Sequence, residues 1–188
     1  VVGIGYGPDP ELAPYFYGFA VVIAAVAAVT DWRSGHIPNW LTLPPLVLGP
    51  FVHGLTGGVD GLAGSLIGVL FCGLVPFLMF RAGGMAGGDV KLFGALGAIC
   101  GAYVGLEAEL LAFVVAAIYA LGRLAWHGKL LRTLGNTVWM GLNPVLPQRL
   151  RRPVSPELLH TLRLGGAIFA GVLIAVWNRL QGFVLTGT

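Results

Sequence analysis

Apolar residues in this chain fall into long unbroken runs, and the alternation expected of half-buried strands is absent. The first, Leu12 to Thr30, is uncharged for about 19 positions, enough for a helix to cross a bilayer. A second, about 40–56, contains Pro44, Pro45, Gly49 and Pro50, which predict a kinked or frayed helix. Thr56 to Asp60 reads as a tight connection, and a third run, about 61–80, ends at Arg81. A fourth starts at Asp89 and extends to about Gly105, with Gly97, Gly101 and Gly105 spaced as a small-residue ridge for close helix packing. Glu107 and Glu109 mark the next boundary, a fifth run reaches about Trp126, and a sixth covers about 162–180. The pattern predicts an all-α polytopic membrane bundle of about six transmembrane helices in a single domain, 1–188.

The polar segments between the runs are short, with one exception. In Asp31 to Trp40, the two tryptophans Trp32 and Trp40 suit a headgroup-level belt, and Pro38 holds Ile37 extended ahead of the second helix. His53 ends the second run and reads as an interfacial residue. The exception is the basic stretch 127–160. There Lys129 and Arg132 alternate with Leu130, Leu131 and Leu134, as in a helix lying on the membrane surface, and a proline-broken basic loop follows about Leu142.

Composition agrees: 56% of residues are hydrophobic, 10% are charged, and the mean hydropathy is +0.84. Soluble domains carry roughly 25% charged residues. The net charge of +3 does not indicate nucleic acid, because the basic residues flank apolar runs and form no separate solvated face. Cys72 and Cys100 lie inside apolar runs and read as buried bystanders, with neither zinc-site nor redox spacing. A cleaved leader in place of the first span would need basic residues ahead of it, whereas Arg33 follows it. With the N-terminus outside, ten of the eleven Lys and Arg residues fall on one side, which identifies that side as cytoplasm. Most acids lie on the opposite side. Asp31 and Asp89 remain on the inner side, although 58 positions separate them.

A carboxylate at such a boundary must stay wet, find a partner or take up a proton. Taken singly, Asp89 reads as a helix cap after Gly87 and Gly88, and Asp31 as a helix-end residue in a wet loop. Their shared side points to more. Two carboxylates a few ångströms apart keep one proton between them, so that the charged member serves as base and the protonated member as acid toward a peptide carbonyl. This chemistry needs neither metal nor cofactor. Helix ends predict an asymmetry, with Asp31 at a C-terminus and Asp89 at an N-terminus, where negative charge is favoured. Lys91, two positions on, is expected to point to another face.

Asp31 with Ile37-Pro38-Asn39, followed by Gly87-Gly88-Asp89-Val90-Lys91-Leu92, resembles the type IV prepilin peptidases, the GxGD class of aspartic proteases. The likeness is strongest to the short form of Tad-type (Flp) pilus systems, and it covers about residues 15–105. Ala86 stands where the GxGD pattern has its first glycine. The resemblance implies catalytic Asp31 and Asp89, an active-site loop containing Gly87, Gly88 and Lys91, and no cofactor. It implies a multi-pass protein of the bacterial inner membrane that removes the basic leader of a pilin precursor at the cytoplasmic face while the precursor's apolar helix stays in the bilayer. Longer members carry paired CxxC cysteines associated with N-methylation. This sequence has none, so peptidase activity without methyl transfer is the expectation. The rival reading is a small proton- or cation-coupled transporter with the two aspartates as ion ligands. Against it, the sequence has no acid midway along a span and no two-half repeat.

Overall fold

The computed structural model describes residues 8, 9, 11–126 and 163–186. The basic stretch 127–160, expected to lie on the membrane surface, is outside the described residues. All regular structure among the described residues is helical: α1 (Ala13–Ser34), α2 (Asn39–Arg81), α3 (Gly87–Trp126) and α4 (Gly165–Thr186). The helices α1, α2 and α3 (to Arg123) are long and apolar enough to cross a membrane.

Helix α1 opens with Pro14 in its first turn and closes at Gly35, whose left-handed conformation (φ 65°, ψ 21°) lets its N–H return to the Asp31 carbonyl at 2.8 Å. Its buried stripe is Tyr17, Ala20, Ala24 and Ala27, yet Phe19, Val22 and Val29 are exposed on the other face. Apolar residues on all sides of a helix suit lipid better than water.

Helices α2 and α3 are longer than the runs that predict them because each joins two. Their backbones break at Gly58 (φ 63°, ψ −149°) and Gly101 (φ 77°, ψ 170°), conformations open chiefly to glycine. Both breaks reverse the chain. Gly61 lies so close to the His53 carbonyl that a Cβ would not fit, and a Cβ on Gly105 would meet Cys72 Sγ at 2.6 Å and the Gly97 Cα at 3.1 Å. The break at Gly58 falls within the predicted Thr56–Asp60 connection. The second comes earlier than expected: Gly101 is itself the turn, so Gly97, Gly101 and Gly105 do not form one ridge on one helix. Gly97 instead meets Gly68 of α2, with backbone against backbone.

Helix α3 is the centre of the bundle. It packs extensively on α2 and also on α4 and α1, whereas α1 and α2 scarcely touch. The Ser65 hydroxyl donates to the Ala98 carbonyl at 2.7 Å across the α2–α3 contact. His53, expected at an interface, is buried at 2% exposure. Its Nε2 lies 2.9 Å from the Ile99 carbonyl, and its ring stacks on Phe16 at 4.4 Å between centroids. A carbonyl only accepts, so Nε2 carries the hydrogen. The reversal at Gly58 draws His53 inward, a turn that hydropathy alone does not orient.

Candidate active site

Asp31 lies in the last turn of α1 and Asp89 in the first turn of α3, and both are buried, at 7% and 4% exposure. The fold brings them close enough for the charge on Asp31 to bear on Asp89. One end of the bundle therefore holds both acids.

Local sequence explains how each is presented. The chain leaves α2 through a turn at Gly83 (φ 79°) and enters α3 at Gly87. Asp89, third residue of the helix, donates its N–H to the Ala86 carbonyl at 3.1 Å. The third helical residue is the position of the acid in a capping box. Gly87 lies against the Phe80 ring, and Gly88 lies under Ile37, where a Cβ would come within 3.1 Å of the Ile37 Cβ. Pro38 is extended (φ −74°, ψ 146°) and caps α2, leaving Ile37 buried over Gly88. One residue further, Asn39 Oδ1 accepts a hydrogen bond from Lys91 Nζ at 2.9 Å. The segments 37–39 and 88–91 thus form one unit.

Lys91 bridges α3 to α2 through Asn39. One expectation changes here: the helix-end asymmetry lapses. Asp31 ends α1, but its Oδ2 accepts the backbone N–H of Gly165 at 3.0 Å, the first residue of α4. Each acid therefore faces a helix N-terminus, and helix ends alone do not rank them. Sequence reasoning assigned no role to Gly165 or to Arg163, whose Nη1 donates to the Trp32 carbonyl at 2.6 Å. The one local signal was a basic residue and a glycine pair opening the last apolar run, and nothing in it points 134 positions back.

Beside Asp31 opens a cavity of about 930 Å³, lined by Arg33, Arg123 and Arg163 and by apolar residues that include Val115 and Ala167. Asp89 does not line it. The cavity gives Asp31 an approach from between α1, α3 and α4.

Two buried aspartates stand at one end of a helical bundle whose long apolar helices make this a multi-pass membrane protein. The profile of the type IV leader peptidase family matches residues 18–121, and the chain belongs to that family. It is 31% identical over 131 residues to the prepilin leader peptidase/N-methyltransferase of Bacillus subtilis (strain 168), covering 65% of this chain and 51% of the relative. It is 34% identical over 135 residues to the protein of the same name from Burkholderia pseudomallei (strain 1026b), covering 66% of this chain and 41% of the relative. The chain thus spans about half the length of the curated relatives it matches. No solved structure matches it.

Proposed function

We propose that this chain is a membrane aspartic endopeptidase that cuts the basic leader from type IV prepilin precursors of the Flp kind. Cleavage occurs at the cytoplasmic face of the bacterial inner membrane, with Asp31 and Asp89 as the catalytic pair. The observation that supports the proposal is that two buried aspartates, at the end of α1 and the start of α3, lie within the region matched by the type IV leader peptidase family.

The pair shares one proton and holds a water. The ionised carboxylate takes a proton from that water as its oxygen bonds to the scissile carbonyl carbon, and the protonated carboxyl gives its proton to the carbonyl oxygen. Collapse of the tetrahedral intermediate breaks the C–N bond, and the departing amine takes the proton from the first carboxylate. Both carboxyls end in their starting states once the shared proton returns.

The glycine turn has a defined part in this scheme. It lets the loop after α2 pass close under Ile37, so that Asp89 faces inward at the first turn of α3. The substrate's apolar helix stays in the bilayer beside exposed apolar faces such as Phe19 and Val29 of α1, with the scissile bond at the boundary. Six bilayer crossings, with both termini outside, complete the proposed topology.

The test is incubation of the purified, reconstituted protein with a precursor carrying a basic leader, a glycine and an apolar helix. A peptidase shortens the precursor after the glycine. A proton- or cation-coupled transporter leaves it intact and moves ions across the vesicle wall.

A further inference from the structure

The start of α4 grips the end of α1 at two points. Gly165 N–H donates to Asp31 Oδ2 at 3.0 Å in a buried contact, and Arg163 Nη1 donates to the Trp32 carbonyl at 2.6 Å. The Arg163 guanidinium also lies over Gly35, the residue that closes α1. The grip has no slack: a Cβ on Gly165 would fall 2.8 Å from the Asp31 Cβ, 3.0 Å from its Oδ2 and 3.2 Å from the Ala28 Cα. The neighbouring Gly166 has open space around its Cα.

We infer that Gly165 is a positioning residue for Asp31, and that the catalytic pair is competent only when the α4 N-terminus is docked on α1. The inference rests on reading Asp31 as one of the pair. The physical reason is that a buried carboxyl at the end of one helix has little to fix its rotamer. A backbone donor fixes the Oδ2 position with no side-chain entropy to lose, and only glycine lets that donor come so near. The aligned peptides of α4 add a favourable field at the same oxygen. Arg163 holds the strap in register by satisfying a carbonyl that the last turn of α1 leaves unpaired. Residues 163–165 lie outside the matched span 18–121, so the positioning contact comes from a part of the chain that the family likeness does not reach.

The experiment compares four variants in the reconstituted full chain by kcat, KM and pH–rate profile. Gly165→Ala moves Asp31 by a sizeable fraction of an ångström. The expected result is a kcat lower by about 10- to 100-fold with KM little changed, since misplacements of this order cost rates of this order. Its pH–rate profile should also be displaced, a change that general loosening of the fold would not produce. Gly73→Ala, in α2 with open space where its Cβ would stand, should match the parent in all three. If Gly165→Ala fails to insert, Arg163→Gln serves in its place, because it adds no bulk; it should lower kcat several-fold and displace the profile likewise. Parental kcat and pH profile in Gly165→Ala, or in Arg163→Gln where that variant must substitute, would overturn the inference. Asp31→Asn separates the two levels. An active Asp31→Asn refutes the catalytic pair itself, whereas an inactive Asp31→Asn beside a fully active Gly165→Ala refutes only the positioning role.

Discussion

Lys91 Nζ and Asn39 Oδ1, 52 positions apart, meet at 2.9 Å and tie the first residue of α2 to the first turn of α3. Asp89 lies in the same turn as Lys91, so this pair steadies the loop that presents the acid. The pair is exposed, and a hydrogen bond exchanged for water contributes about 1 kcal/mol. Lys91→Ala and Asn39→Ala should therefore each lower the cleavage rate by no more than about fivefold. The double variant should be no worse than either single one, because both remove the same contact. Additive losses in a double-mutant cycle would show that the two side chains act separately.

His53 ties α2 to the Ile99 carbonyl and stacks on Phe16 of α1, so its contribution is to stability. His53→Ala should cost about 2–4 kcal/mol through the lost stack and the lost buried hydrogen bond. Unfolding in detergent should show a lower Tm, with kcat of the protein that remains folded close to the parent's. A parental Tm would contradict the packing role.

A side chain on Gly88 would press on Ile37, its Cβ standing 3.1 Å from the Ile37 Cβ. Overpacking of this kind costs about 1–3 kcal/mol, and here the strain falls on the residue next to Asp89. Gly88→Val should reduce kcat by at least about tenfold, since small misplacements of a reacting group cost that much. Ala86→Gly should be neutral or mildly activating. A fully active Gly88→Val would make the turn a linker only.

Much of the fold was legible because a helix in lipid needs a continuous apolar run, and α1 appears where Leu12–Thr30 predicts it. The turn near Gly58 was legible from its glycines and from the polar Thr56 and Asp60. The turn at Gly101 was not. Spacing of Gly97, Gly101 and Gly105 by four suits one helix face as well as a hairpin, and only the positive φ at Gly101 separates the two. At the site, charge sidedness put Asp31 and Asp89 on one face because so few inner residues are acidic. The Gly165 contact was invisible, since a backbone N–H has no signature in side-chain chemistry. His53 was misplaced because a lone histidine at the end of an apolar run looks the same whether the following turn exposes it or folds it inward.

Two carboxyls that share a proton titrate as a pair with two apparent pKa values. The cleavage rate should be bell-shaped in pH: it falls on the acid side as the base becomes protonated and on the alkaline side as the shared proton is lost. Under single-turnover conditions, a flat profile between about pH 4 and 9 would contradict a shared proton.

The central claim is that Asp31 and Asp89 act together on the scissile peptide, and one measurement reaches it most directly. Parent, Asp31→Asn and Asp89→Asn are reconstituted at equal amounts and assayed for cleavage of a precursor with a basic leader, a glycine and an apolar helix. An amide keeps the size of the carboxyl but neither takes nor gives the proton. Each variant should insert normally and lose activity by about 10²- to 10⁴-fold, the usual contribution of a positioned acid or base. Cleavage at the parental rate by either variant would contradict the account.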